Sequence, residues 1–166
     1  MKVRRAGLDD IVIIQQLAHK TWPEAYSHII SLQQIAYMLE QLYSLPALEH
    51  QIQNQLHRFL LFLREDEPIG SGSFSVNTST TTKTAKLHKL YVLPQQQQQG
   101  AGRFLLTHIY KEVTHSGAGI LELNVNRYNK NALQFYTKQG FTIIKEEDIA
   151  IGKGFFMNDF VMQKAF

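Results

Sequence analysis

From Asp9 onward apolar residues recur at helical spacing, at Ile11, Ile14, Leu17, Ala18 and Trp22, and the acidic pair Asp9–Asp10 suits a helix N-terminus. Val3 to Arg5, just before it, reads as a short first strand. Ser31 then precedes Leu32, Ile35, Ala36, Leu39, Leu42 and Tyr43, a second amphipathic helix with a serine placed to cap it. Ser44 is expected to cap a third, with Pro46 in its first turn and Leu45, Leu48, Ile52 and Leu56 on its apolar face. At Arg58 the period changes. The runs "RFLLFLR", "IGSGSFSV" and "KTAKLHKLYVLP", with a turn at Arg64–Pro68, are rich in β-branched, aromatic and hydroxyl residues and predict a three-stranded meander. A helix carrying Leu105, Ile109 and Val113 follows and closes at Gly117; "GILELNVN" is a strand. The segment "NKNALQFYTKQGF" is a helix with Ala132, Phe135 and Tyr136 on one face, stopped by Gly140. "FTIIKEE" and "FFMNDFVMQK" make two last strands. The order β-α-α-α-β-β-β-α-β-α-β-β predicts one α/β domain over residues 1–166 with a sheet of mixed direction.

Composition narrows the chemistry. Of 166 residues, 44% are hydrophobic and 19% charged, the balance of a folded domain, with a net charge of +3. The densest cationic run, Lys83, Lys86 and Lys89, is interrupted by Thr and Leu, so a nucleic-acid partner is not expected. There is no cysteine, which excludes disulfides, thiolate nucleophiles and Cys-ligated zinc. His19, His28, His50 and His57 show no metal-ligand spacing, so no metal is expected, and no Gly-x-Ser-x-Gly elbow is present. No leader and no membrane span are read, which makes a cytoplasmic location the expectation.

The stretch "LPQQQQQGAGRFLL", Leu93 to Leu106, admits two readings. Gln95–Gln99 is either a low-complexity tract or part of a backbone cradle fitting Gln/Arg-x-x-Gly-x-Gly/Ala at Gln97, Gln98, Gln99, Gly100, Ala101 and Gly102. A strand that turns directly into a helix presents successive N–H groups, and glycines let a pyrophosphate approach them. Arg103 would add a cation. On the cradle reading only Gln97 matters as a glutamine, and its neighbours are turn filler.

Downstream, a second motif, Asn-x-x-Ala-x-x-Phe-Tyr-x-x-x-Gly-Phe, is read with Asn131 as its asparagine and with Ala132, Phe135, Tyr136, Gly140 and Phe141. With the cradle and the preceding "LYVLP", the chain resembles the GNAT superfamily of acetyl-CoA-dependent N-acetyltransferases, in detail from Leu87 to Phe141 and more loosely elsewhere. The resemblance implies a mostly antiparallel sheet with helices on both faces and splayed central strands, and acetyl-CoA as co-substrate. It implies that the backbone of Leu90 and Val92 pairs with pantetheine, the Val92 N–H lying near the thioester carbonyl. It implies that Tyr136, a phenol with a pKa near ~10, protonates the leaving thiolate, and that Asn131 contacts the cofactor. The alternatives are a core tyrosine on an amphipathic helix and a helix-start asparagine, Asn129 being the more obvious cap.

Many members carry a glutamate in the strand before the cradle, and "AKLHKLYV" has none. His88 is the candidate base, at a location where some arylalkylamine acetyltransferases carry histidine; the alternatives are Glu24, or no base at all. The acceptor region, "TWPEAYSHIISLQQIAYMLEQLYSLPALEHQ" with the ending "FFMNDFVMQK", resembles bacterial polyamine acetyltransferases, which implies a small amine substrate met by carboxylates such as Glu24. Residues 1–60 hold five acidic residues (Asp9, Asp10, Glu24, Glu40, Glu49) against five basic ones (Lys2, Arg4, Arg5, Lys20, Arg58), which is not an acidic funnel. Acetylation of a protein N-terminus or lysine, and a coenzyme A sensor without turnover, stay open beside it. Homodimers are frequent among proteins of this resemblance.

Overall fold

The computed structural model describes residues 1–79, 83–97 and 99–166. Its elements are β1 (Lys2–Arg5), α1 (Ile11–Tyr26), α2 (Leu32–Tyr43), α3 (Leu45–Gln53), β2 (Arg58–Arg64), β3 (Glu67–Asn77), β4 (Thr84–Val92), α4 (Ala101–His115), β5 (Ile120–Asn126), α5 (Lys130–Lys138), β6 (Thr142–Gly152) and β7 (Phe155–Ala165). Their order is the one the hydrophobic pattern predicts. The strands form an open, mostly antiparallel sheet in the order β1-β2-β3-β4-β5-β7-β6. The chain divides into two compact units, Met1–Ser75 with His88–Lys111, and Val76–Leu87 with Glu112–Phe166.

In the first unit β2 is buried along Phe59–Leu63, an unbroken apolar run that fits a strand covered on both faces. Phe62 stacks on Phe104 of α4, with ring centroids 5.4 Å apart. Phe59, three residues earlier and so on the opposite face, shares the Lys89 ammonium with the ring of Tyr43 from α2. The apolar stripe of α1 is buried at Ile14, Leu17, Ala18 and Trp22, as its spacing predicts, and the helix continues through Pro23 to Tyr26.

Local signals held at some ends and failed at others. Ser31 caps α2, its hydroxyl accepting from the Gln34 N–H at 3.1 Å. Ser44 occupies the N-cap position of α3, but its side chain makes no capping bond; its N–H closes α2 on the Glu40 carbonyl. The spacing puts Leu56 on the apolar face of α3, yet that helix stops at Gln53 and Leu56 is exposed.

In the second unit β4 and β5 run parallel from Thr84↔Ile120 to Leu87↔Leu123, where their ladder ends, and β5 goes on against β7 to Asn126↔Asp159. β6 is longer than "FTIIKEE", because Lys153 and Gly154 both take left-handed conformations (φ 52° and 75°) and close a tight hairpin onto β7. None of the residues of α5 is fully buried; its apolar face is half-covered. Gly117 and Gly140 end α4 and α5 with φ of 82° and 89°.

Candidate active site

In the first unit the end of β4 is held against β3 at two glycines. A Cβ on Gly70 would lie 2.6 Å from the Tyr91 carbonyl oxygen, and one on Gly72 would lie 3.2 Å from the Lys89 carbonyl. The backbones meet where Leu90 and Val92 sit; at Gly70 only hydrogen on the α-carbon permits it, and at Gly72 a Cβ would be tight. The signal was present in "IGSGSF", and it concerns close backbone approach more than strand propensity. Leu90 is half-buried and Val92 buried.

Beyond Val92 the chain passes Leu93, takes a single turn at Pro94–Gln96 and enters α4 at Ala101. Gly100 has φ of 78°, and a Cβ there would meet nothing within 4 Å, so backbone conformation is what asks for glycine. Gly102 stands inside the first turn of α4. Among the described residues the first helical bond runs from the Phe104 N–H to the Gly100 carbonyl, and the N–H groups of Ala101, Gly102 and Arg103 stand in the turn that a helix presents to an outside acceptor. Arg103 is exposed beside them. Space, donors and a cation fit a pyrophosphate.

The glutamines are not uniform filler. Gln97 donates Nε2 to the Val92 carbonyl at 2.9 Å, folding the loop back onto β4. Arg64, at the end of β2, donates one guanidinium nitrogen to Oε1 of both Gln96 and Gln99. The cradle reading assigns a role only to Gln97; Gln96 and Gln99 also act, as acceptors for an arginine that no local pattern singles out. Gln98 lies outside the described residues.

His88 is half-buried, with Nε2 2.8 Å from the Ser75 hydroxyl, and its ring stacks on His57 at 3.7 Å with 12° between planes. His57 touches the buried Lys89, Nδ1 to Nζ, at 3.5 Å. Burial first, and the Lys89 charge second, pull the His57 imidazole down to about 4. Lys89 is 7% exposed and donates to Oε1 of Gln51 at 2.7 Å; among the described residues it pairs with no carboxylate. Desolvation lowers its ammonium to about 8. Sequence reasoning saw Lys89 only as one of three spaced lysines and His57 only as a non-ligand. Glu24 is an exposed residue of α1.

The second unit carries the other motif. Asn129 accepts from the Ala132 N–H at 3.1 Å as the N-cap of α5. Asn129, three residues before Ala132, is the residue that meets the Asn-x-x-Ala spacing of the motif; Asn131, read as its asparagine, directly precedes Ala132 and is an exposed residue of the first turn. Tyr136 is half-buried, its ring edge-on to Phe135 and Phe141 at centroid distances of 5.1 and 5.6 Å. Among the described residues no group of three or more histidines and carboxylates is placed to hold a metal ion. No helix among them is long and apolar enough to cross a membrane.

Known proteins resemble the chain along its length. The model of the acetyltransferase (GNAT) family matches residues 14–141. A spermidine N(1)-acetyltransferase of Thermoplasma acidophilum is 24% identical over 174 residues, taking in 100% of this chain and 98% of its own. The crystal structure of PaiA N-acetyltransferase from Thermoplasma acidophilum in complex with coenzyme A superposes with a TM-score of 0.84 at 24% identity, over 99% of this chain and 98% of that one. The ribosomal-protein-alanine N-acetyltransferase of Brucella melitensis gives 0.65 at 16% identity, over 100% of both chains.

Proposed function

The chain belongs to the acetyltransferase (GNAT) family, and on that premise we propose that it acetylates a primary amine of a small polyamine-like molecule. Acetyl-CoA supplies an acetyl group activated as a thioester. The observation that carries the proposal is the turn from β4 into α4, where Gly100 at φ 78° opens the first-turn N–H groups and Arg103 to a diphosphate. The backbone of Leu90 and Val92 orients the pantetheine arm as an added strand would. His88 takes the proton that the attacking amine must lose, as the nitrogen–carbon bond forms and the carbon–sulfur bond breaks. Tyr136 returns a proton to the departing sulfur, so one proton is taken and one given. Asn131 serves the cofactor from the start of α5, and Glu24 receives a second, distant ammonium of the substrate.

The spermidine enzyme of Thermoplasma acidophilum, aligned along the whole chain, supports a polyamine as acceptor. The deciding experiment incubates the protein with acetyl-CoA and a panel of polyamines, arylalkylamines and short peptides, following free thiol and product mass. Thiol release with a polyamine and a singly acetylated product are expected. Turnover only with peptides would place the chain among protein acetyltransferases, and tight coenzyme A binding without thiol release on any amine would make it a sensor.

A further inference from the structure

Lys89, which no step above uses, is a cation nine-tenths buried on the strand that carries His88. Its surroundings are built. Gln51 of α3 spends both amide hydrogens on backbone, donating to the Leu42 and Ala47 carbonyls at 3.0 Å each, which leaves Oε1 aimed at Nζ of Lys89. The rings of Tyr43 and Phe59 face the ammonium at 5.3 and 5.1 Å. An ammonium has donors and no acceptor, so the His57 Nδ1 it touches must be the bare nitrogen of that ring, with the proton on Nε2. His57 lies in turn face to face with His88, whose Nε2 meets the Ser75 hydroxyl.

We propose that Lys89 is a positioning residue for acetyl transfer: it holds His57 as a neutral ring in the Nε2–H form, and this ring, stacked on His88, leaves His88 as the one imidazole of the pair that takes the substrate's proton. Charging both of two imidazoles stacked this close is disfavoured, and in an unbiased pair the first proton would be divided between the rings. A fixed cation on the far side of His57 breaks that symmetry. Ser75 of β3 meets His88 and Lys89 of β4 meets His57, while Gln51 of α3 and the ring of Tyr43 of α2 hold the ammonium from its other sides. The low proton affinity of His57, held near 4, accords with it. The proposal rests on His88 acting as base in the reaction above, yet its structural half is open to measurement without turnover.

The test is imidazole nitrogen NMR of the full chain, wild type and Lys89→Met, joined to the pH dependence of kcat/KM. In the wild type between pH 6 and 7.5, His57 is expected as the neutral Nε2–H tautomer. In Lys89→Met the Nδ1–H form of His57 becomes populated, and the acid limb of kcat/KM moves by about half a pH unit or more. The KM for acetyl-CoA stays within about twofold. A wild-type His57 that is protonated at pH 6.5, or that carries its proton on Nδ1, overturns the proposal whether or not the variant folds. So does a Lys89→Met protein with the wild-type tautomer and pH profile. If the NMR behaves as expected while no amine is acetylated, the lock stands and the acetyl-transfer reading is what fails.

Discussion

The α-carbon of Gly70 and the carbonyl of Tyr91 stand so close that a methyl group on the first would lie 2.6 Å from the second. This contact sets the path of β4 just where Leu90 and Val92 would meet pantetheine. Gly70→Ala must push backbone against backbone, so stability is expected to fall by about 1–3 kcal/mol in urea titration. Coenzyme A affinity should fall with it. Gly119→Ala, where an added Cβ meets nothing within 4 Å, is the control and should stay within about 0.5 kcal/mol.

Arg64 ties the glutamine turn to the end of β2 through Gln96 and Gln99. Arg64→Met is expected to raise the dissociation constant of coenzyme A several-fold in calorimetry with little change in Tm, because the lost bonds are largely exposed. Gln97→Ala, which frees the Val92 carbonyl, should do the same, and Gln95→Ala should leave affinity unchanged. Equal effects at all three positions would mean that the turn acts only as bulk.

At Gly100 the cost is conformational. Its φ of 78° makes Gly100→Ala unfavourable by about 1–2 kcal/mol although the space is empty. Gly102→Val places a branched side chain in the first turn of α4 and is expected to abolish coenzyme A binding while the protein still melts cooperatively.

His57 and Lys89 make stability depend on pH in a direction that can be worked out. The native His57 binds its proton only near pH 4, the unfolded one near about 6.5, so between those values the unfolded chain holds more protons. Stability therefore rises with pH through that window and is lost as the solution is acidified. Lys89 acts likewise higher up: its native value near 8 lies below the ordinary value of about 10.4, so stability rises again from about pH 8 to 10. Melting curves of Lys89→Met should lack the upper rise.

Tyr136→Phe removes the phenol proton and keeps the ring that packs on Phe135 and Phe141. An expected loss of roughly 10²-fold or more in kcat, with coenzyme A affinity unchanged, would separate the acid from a core tyrosine. Wild-type turnover across pH would remove it from the mechanism.

What the sequence determined by itself is whatever repeats with the period of an element or sits at its end. The stripe of Ile14, Leu17, Ala18 and Trp22, the cap at Ser31, the stop at Gly140 and the cradle glycines are each stated by a few neighbouring residues, because helices and tight turns answer to local geometry. The element order followed from them. Tertiary structure decided the partners. That Gly70 answers to Tyr91, that Arg64 grips Gln96 and Gln99, and that Gln51, Lys89, His57 and His88 form one chain of contacts depends on strands and helices far apart in sequence. No spacing records such meetings, since a buried lysine is written with the same letter as the exposed one beside it. Ser44 shows the converse: a serine in the right place for a cap, whose hydroxyl makes no capping bond.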